Sequence, residues 1–316
     1  MNKPHILQLG TLPEADERAL DASFIVHRAG DAADRLSIAK DAAPEVRAIV
    51  TRGDIGVERH ILELCPQLEI ISIFGVGFDR VDTSYCRDHG IRVTNTPGVL
   101  NDDVADIGIA MMLCQARDLP GAQSWVKEGR WRNEGPYRLT RRVSGKKAGI
   151  LGLGRIGIEV AKRLKGFGMD VFYSDLREKA DTGDLKYVAD PVELARRVDF
   201  MFVTLSASAA TKHIVGKAVL KALGPEGTLI NISRASNVDE DALLQALESG
   251  SLGYAALDVF EGEPAINERF LRMDNVLVQP HHASGTSETR KDMGRLMRQN
   301  LTAHFAGEPL DNLVGM

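Results

Sequence analysis

The sequence predicts an α/β protein with two doubly wound parallel-sheet domains, and three observations support this. The length of 316 residues exceeds the size at which a single hydrophobic core usually stops growing, which indicates two domains. Short apolar runs typical of strands alternate with patterns typical of helices along the chain. A glycine-rich turn, Gly152-Leu153-Gly154-Arg155-Ile156-Gly157, follows one such run in the middle of the sequence.

The N-terminal part of the chain is predicted to be a small unit with a parallel sheet, complete by Pro97-Gly98. The final helical pattern, 287–305, has nothing left to pair with in sequence, and we expect it to pack back on this unit. The first domain is therefore expected to be discontinuous, residues 1–98 plus 287–316, with a flavodoxin-like sheet. Its predicted strands are 5–9, 24–27, 46–51, 68–74 and 91–94, and its predicted helices include 57–64 and 81–89.

The second domain, residues 99–286, is predicted to be a Rossmann-type sheet inserted into the first. A long helical pattern over 102–117 is expected to end before Pro120-Gly121, and the polar segment 127–147 to be irregular. The remaining strands are predicted at 169–174, 200–205, 228–232, 254–257 and 276–278, with helices at 158–167, 191–197 and 239–248.

The glycine-rich turn predicts a dinucleotide site. Its glycines permit a tight strand-to-helix turn and let a pyrophosphate approach a helix N-terminus. The turn alone is weak evidence, because the glycines could simply shape an α/β connection. Asp175 strengthens it, since it closes the next apolar run at the spacing expected for a carboxylate that binds an adenosine ribose. That carboxylate would repel a 2′-phosphate and favours NAD(H), while Arg177 leaves NADP(H) open.

Three side chains of complementary chemistry follow predicted strands downstream. Arg234 lies at a carboxyl edge, where its guanidinium can fork onto a carboxylate and a carbonyl. His281 follows the strand 276–278, and histidine exchanges protons near neutral pH. Glu263 would orient the imidazole and favour its charged form if the two are in contact. Each residue alone has an ordinary surface or structural explanation, but their shared placement favours a reactive site.

Taken together, the motifs resemble those of the D-isomer-specific 2-hydroxyacid dehydrogenases, over nearly the whole chain. The resemblance is strongest to the glyoxylate/hydroxypyruvate reductase group. It implies reduction of a short 2-oxo acid to the D-2-hydroxy acid by hydride transfer from NAD(P)H. The phrases that carry it are the glycine turn, Asn231-Ile232-Ser233-Arg234, Leu257-Asp258-Val259-Phe260 with Glu263-Pro264, Pro280-His281-His282-Ala283-Ser284-Gly285-Thr286 and 139–146.

The resemblance also implies residue roles. Arg234 would bind the substrate, His281 would donate the proton during reduction, and Glu263 would be the partner of His281. The cofactor would be contacted by Gly152, Gly154, Arg155, Ile156, Gly157, Asp175, Leu205 and Asp258, the last near the nicotinamide carboxamide. Two positions depart from the family pattern: Ala235 replaces a glycine, and the segment from Leu205 replaces a proline-containing turn.

The first domain would supply the binding site for the substrate carboxylate, at the backbone N–H groups of Gly75-Val76-Gly77. Arg52, after a predicted strand, is a further candidate for binding an anionic substrate. Two alternatives stay open: a dinucleotide-sensing binding protein similar to corepressors, and the same fold acting on 3-phosphoglycerate or a 2-keto sugar acid. Retention of the three reactive residues argues against the sensor.

The resemblance further implies a homodimer with the helix 102–117 at its interface. That helix carries Met111 and Met112, for which burial inside the subunit is the alternative explanation. Relatives place a tryptophan from the partner subunit near the substrate, and Trp131 lies in the segment predicted to be irregular. Ordinary interface packing explains an aromatic residue there equally well.

Composition excludes several classes of protein. A net charge of -5 argues against a nucleic-acid partner, and no uninterrupted apolar stretch approaches the roughly 18 residues that cross a bilayer. The N-terminus lacks the apolar core of a secretory signal, so we expect a cytoplasmic location. The three cysteines, Cys65, Cys86 and Cys114, are predicted to be reduced core thiols, and no metal site is expected.

Overall fold

The computed structural model describes residues 3–30 and 32–315. For residues 32–34 it describes only the backbone. Residues 1, 2, 31 and 316, which the predicted domain bounds include, lie outside the described residues. The chain divides into two compact units, Met1–Leu100 with Gly285–Met316, and Asn101–Ser284. Each unit contains one parallel sheet, which confirms the predicted fold class.

The first unit is built on a five-stranded sheet in which every pairing is parallel, in the order β2-β1-β3-β4-β5. This is the flavodoxin-like strand order. The strands are β1 (His5–Leu9), β2 (Ile25–Ala29), β3 (Val46–Arg52), β4 (Ile70–Phe74) and β5 (Arg92–Thr94), and the helices between them are α1 (Glu14–Ser23), α2 (Ala32–Ala42), α3 (Arg59–Leu64) and α4 (Thr83–Asp88).

The second unit contains a seven-stranded parallel sheet in the order β12-β11-β10-β9-β6-β7-β8. The order in which strands are added to the sheet reverses between β6 and β9. In such sheets, ligands bind at this topological switch point. The strands are β6 (Lys147–Leu151), β7 (Asp170–Ser174), β8 (Lys186–Tyr187), β9 (Phe200–Val203), β10 (Thr228–Asn231), β11 (Tyr254–Leu257) and β12 (Val276–Val278). The helices are α5 (Asn101–Arg117), α6 (Leu119–Lys127), α7 (Arg130–Glu134), α8 (Arg155–Lys165), α9 (Pro191–Arg196), α10 (Lys217–Leu223) and α11 (Glu240–Glu248).

Continuous apolar runs explain why the central strands form. Every residue of β4 and of β9 is buried, as expected for parallel strands that are covered by helices on both faces. In the second unit, Phe200, Phe202 and Tyr173 are among the largest fully buried side chains. The strand ends, which carry the polar turns, are therefore fixed by a packed interior.

The C-terminal helix α12 (Ser287–Ala306) packs on β4 of the first unit. The hydroxyl of Ser72 in β4 donates a hydrogen bond to the carbonyl oxygen of Met297, at 3.1 Å. Arg298 forms an ion pair with the buried carboxylate of Asp16 on α1. The first unit is thus assembled from two distant segments of the chain.

The structure corrects the prediction for the segment after α5. Pro120-Gly121, expected to end a helix, lies in the first turn of α6 instead. Asp118 caps this helix by accepting a hydrogen bond from Gly121 N at 3.2 Å, and a proline in the first turn loses no helical hydrogen bond. The segment 127–147 was also predicted to be irregular. This prediction is wrong for part of the segment, which contains α7.

Cys65 and Cys86 are buried in the first unit, and Cys114 is partly buried. All three are free thiols, and burial raises the pKa of Cys65 and Cys86 to about 11. These two cysteines therefore stay protonated near neutral pH. None of the helices in the described part of the chain combines the length and apolar character that a membrane span requires.

Candidate active site

The glycine-rich turn connects β6 to the N-terminus of α8. Gly152 has a φ of 101°, and its N–H donates to the carbonyl oxygen of Ser174 at 2.8 Å. A side chain on Gly157 would overlap the carbonyl oxygen of Gly152. In contrast, a Cβ on Gly154 would meet no described atom within 4 Å. The turn is closed on the protein side and open at the helix N-terminus, where Arg155 is also exposed.

Asp175 follows β7 and is tied to the glycine-rich turn. Its carboxylate accepts hydrogen bonds from Leu153 N at 3.0 Å and from Leu176 N at 2.8 Å. The ammonium of Lys179 lies 3.4 Å from Oδ2. Leu205 packs against the same turn, since a Cβ on Gly152 would lie 2.9 Å from Leu205 N. The predicted cofactor residues, apart from Asp258, thus surround one strand-to-helix connection, with Ile156 partly buried in the first turn of α8.

His281 and Glu263 are in direct contact. His281 Nδ1 lies 2.7 Å from Glu263 Oε2, and Glu263 Oε1 accepts a hydrogen bond from Phe260 N at 2.6 Å. The carboxylate therefore holds a proton on Nδ1 and leaves Nε2 as the nitrogen that is available to a ligand. His281 has a φ of 51°, a left-handed conformation that residues other than glycine rarely adopt.

Asp258 stabilises the turn that carries His281. Its two carboxylate oxygens accept hydrogen bonds from His282 N and Ala283 N, both at 3.0 Å. The residue is 1% exposed, and burial raises its pKa. This arrangement makes Asp258 a positioning residue for the turn, while the cofactor contact expected for it stays a prediction.

Arg234 follows β10 in a turn that is ordered by Asn231. The Asn231 amide donates to the carbonyl oxygen of Arg234 at 3.1 Å and accepts from Ser233 N at 3.1 Å. The Arg234 guanidinium donates to the Ser233 carbonyl oxygen at 2.9 Å. Because β10, β11 and β12 are adjacent and parallel, the turns that bear Arg234, Asp258 and His281 lie at one carboxyl edge. Sequence reasoning missed the role of Asn231, although a polar residue at the end of a predicted strand was a usable signal in the sequence.

The predicted loop Gly75-Val76-Gly77 follows β4 in the first unit and is held by buried polar residues. Gly75 N donates to the hydroxyl of Thr96 at 3.1 Å, and the amide of Asn95 donates to the Val76 carbonyl oxygen at 2.8 Å. Within residues 3–30 and 32–315, the N–H groups of Val76 and Gly77 have no hydrogen-bond acceptor. The donors available in this loop are therefore those of Val76 and Gly77, since the Gly75 N–H is already used.

Arg52, the other candidate in this unit, ends β3. Its guanidinium forms a two-point contact with Asp54, with Nε 3.0 Å from Oδ1 and Nη2 2.7 Å from Oδ2. Its charge is therefore largely compensated within the protein.

Comparison with known proteins identifies the family. A family model described as D-isomer specific 2-hydroxyacid dehydrogenase, NAD binding domain, matches residues 109–283, more than half of the chain. The chain belongs to this family. The solved 2-hydroxyacid dehydrogenase of Ketogulonicigenium vulgare Y25 is 60% identical, with a TM-score of 0.92, and 99% of each chain is covered.

Two further relatives of this chain are named as reductases. The NADPH-dependent glyoxylate/hydroxypyruvate reductase of Sinorhizobium meliloti, solved with NADP and malonate, is 38% identical. Its TM-score is 0.93, and 99% of this chain and 97% of that chain are covered. Hydroxyphenylpyruvate reductase of Plectranthus scutellarioides is 44% identical over 268 residues, 85% of each protein.

A nicotinamide dinucleotide, the cofactor implied by this dehydrogenase family, fits the glycine-rich turn. The open space in front of Gly154 gives a phosphate access to the N-terminus of α8, an eleven-residue helix. No described atom lies within 4 Å of the position that a Cβ on Gly154 would take. Among the described residues, no three His, Cys, Asp or Glu side chains are grouped so that they could hold a metal ion.

The glycine-rich turn generates a paired prediction. Gly154→Ala is expected to change the melting temperature by less than about 2 °C, because the added methyl group points into open space. It should still weaken dinucleotide binding about tenfold, because the methyl group occupies the approach to the helix N-terminus. Gly157→Ala should instead lower the melting temperature, since its methyl group would overlap the Gly152 carbonyl oxygen. Calorimetric titration with NADH and thermal melting of both variants check this, and unchanged NADH affinity in Gly154→Ala would contradict it.

Proposed function

We propose that this protein reduces short 2-oxo acids, of the glyoxylate and hydroxypyruvate type, to the D-2-hydroxy acids with a reduced nicotinamide dinucleotide. Family membership supports the reaction class, and the named activities of the relatives support the substrate type. The observation that carries the proposal is the 2.7 Å contact between His281 and Glu263, at the carboxyl edge of the sheet that bears the glycine-rich turn.

His281 acts as the acid of the reduction. The bound cofactor supplies the hydride. Protonated His281 then gives its Nε2 proton to the carbonyl oxygen of the substrate, while Nδ1 remains bonded to Glu263. Arg234 binds and polarises that carbonyl, and its guanidinium also suits the neighbouring carboxylate. Glu263 is a positioning residue that stabilises the charged imidazole before the proton leaves.

The two units have separate binding roles. The unit Asn101–Ser284 binds the dinucleotide through the glycine-rich turn, and the unit that contains Val76 and Gly77 binds the substrate carboxylate. The unused N–H groups of that loop support the second assignment. NAD(H) is preferred over NADP(H), because the carboxylate of Asp175 would repel a 2′-phosphate. Lys179, 3.4 Å from that carboxylate, offsets part of the repulsion.

The protein functions as a homodimer in the cytoplasm. The interface implied by the family resemblance includes α5, but Met111 and Met112 of that helix are 3% and 0% exposed in the chain. They therefore belong to the interior, and the apolar side chains exposed nearby are those of α6 and α7. These side chains include Leu119, Val126 and Trp131. A mass measurement by sedimentation equilibrium tests the dimer.

Substitution of the proposed acid tests the mechanism. His281→Ala should lower kcat for glyoxylate by about 100-fold to 10,000-fold, because it removes the general acid. Dinucleotide affinity should stay within about twofold, since the side chain lies outside the glycine-rich turn. His282→Ala, which alters an exposed neighbouring side chain, is the matched control and should retain near-normal turnover. Near-normal turnover in His281→Ala would refute the assignment.

Removal of the charge on Glu263 should change the pH dependence. In Glu263→Gln, the alkaline limb of the reductive kcat/KM profile is expected at lower pH. The negative carboxylate 2.7 Å from Nδ1 stabilises the charged imidazole, and a neutral amide at the same place does not. The profile with glyoxylate between pH 5 and about 10 measures this. Glu261→Gln, at an exposed carboxylate two residues earlier, should leave the limb in place. An unchanged limb in Glu263→Gln would argue against its positioning role.

The cofactor preference depends on Asp175. Asp175→Ser keeps an acceptor near Leu153 N but removes the negative charge, so the ratio of kcat/KM with NADPH to that with NADH should rise about tenfold. Glu178→Gln removes an exposed charge from the same loop and serves as the control. Equal ratios in the wild type and Asp175→Ser would show that this carboxylate does not select the cofactor.

A further inference from the structure

One arginine of the first unit lacks the counter-charge that its neighbours have. Arg290 lies in the N-terminal part of α12, and its guanidinium carbon is 5.8 Å from the centre of the Phe74 ring. Phe74 ends β4 and directly precedes the loop Gly75-Val76-Gly77. The helix therefore places this guanidinium at the same sheet edge as the loop.

No carboxylate in the described part of the chain lies within ion-pair distance of Arg290, and its guanidinium makes no hydrogen bond there. Arg52 and Arg298, in the same unit, are paired with Asp54 and Asp16. Burial and the nearby Arg52 guanidinium lower the pKa of Arg290, and the Asp54 carboxylate acts in the opposite direction. A partly buried cation without a carboxylate in ion-pair contact is costly, and an incoming anion would reduce that cost.

Other groups at this edge are also donors. The N–H groups of Val76 and Gly77 have no acceptor among the described residues. The chain after Arg52 touches this loop, because a Cβ on Gly53 would lie 2.8 Å from the Gly77 carbonyl oxygen. The edge thus combines a guanidinium without an ion-pair partner among the described residues, two unused N–H groups and a second guanidinium that is paired with Asp54. This set of groups suits an anion.

We infer that Arg290, held above Phe74 beside the unused N–H groups of Val76 and Gly77, binds the carboxylate that every 2-oxo acid substrate carries. The inference rests on the proposed function. In this inference, Arg290 supplies the positive charge that binds the substrate carboxylate, whereas the sequence had suggested Arg52. A residue that binds the carboxylate equally before and during reaction should affect KM more than kcat.

Kinetics with glyoxylate, which has a single carboxylate, test the inference. Arg290→Leu retains an apolar group on Phe74, and its KM for glyoxylate should rise about tenfold or more, with kcat within about threefold. Arg290→Lys, which keeps the charge but not the planar fork, should give a smaller increase. Arg295→Leu is the control on the same helix, because Arg295 is exposed and paired with Asp292. Its KM should match that of the wild type.

The outcomes separate this inference from the proposed function. An unchanged KM for glyoxylate in a folded Arg290→Leu protein would overturn it. An increase seen with 2-oxoglutarate but not with glyoxylate would also overturn it, because Arg290 would then bind a second acidic group. If the wild type reduces no 2-oxo acid, the proposed function fails, and calorimetric titration with oxalate decides about Arg290. Weaker oxalate binding by Arg290→Leu, by about tenfold, would support an anion site, and equal binding would reject it.

Discussion

The buried carboxylate of Asp258 is the constraint on which the candidate site depends. It follows β11 and accepts hydrogen bonds from two consecutive N–H groups in the turn after β12. That turn holds His281 in a left-handed backbone conformation, which is unfavourable unless its surroundings fix it. Because the imidazole is fixed in this way, it meets the Glu263 carboxylate. A packed parallel sheet thus determines the orientation of the proposed proton donor.

The same sheet explains why the glycine-rich turn is both rigid and open. The carboxylate of Asp175, which follows β7, accepts a hydrogen bond from Leu153 N. A residue suited to ribose recognition therefore also stabilises the turn. Gly152 and Gly157 allow the strand and helix to approach closely, while the space before Gly154 stays clear. The glycine-rich turn is therefore ordered before a ligand binds. Less conformational entropy is lost on binding, which favours tight association.

The sequence predicted most strands because their apolar runs are continuous, as in β4 and β9, and it placed Arg234 and His281 correctly after strands. It failed at α6, where Pro120 lies in the first turn of a helix that Asp118 caps, because a proline can mark either the end or the start of a helix. It also could not reveal that Arg290 lies over Phe74, a residue more than two hundred positions away in sequence. Such contacts depend on tertiary packing, which has no local signature.

In the proposed reaction, the His281–Glu263 pair supplies the proton for reduction of a 2-oxo acid. The most direct measurement is the solvent deuterium isotope effect on glyoxylate reduction with NADH, in the wild type and in Glu263→Gln under single-turnover conditions. Turnover is expected in the wild type, with an isotope effect that increases when the carboxylate is removed, because proton donation then becomes more rate-limiting. Wild-type turnover with an isotope effect that is the same in both proteins would contradict it.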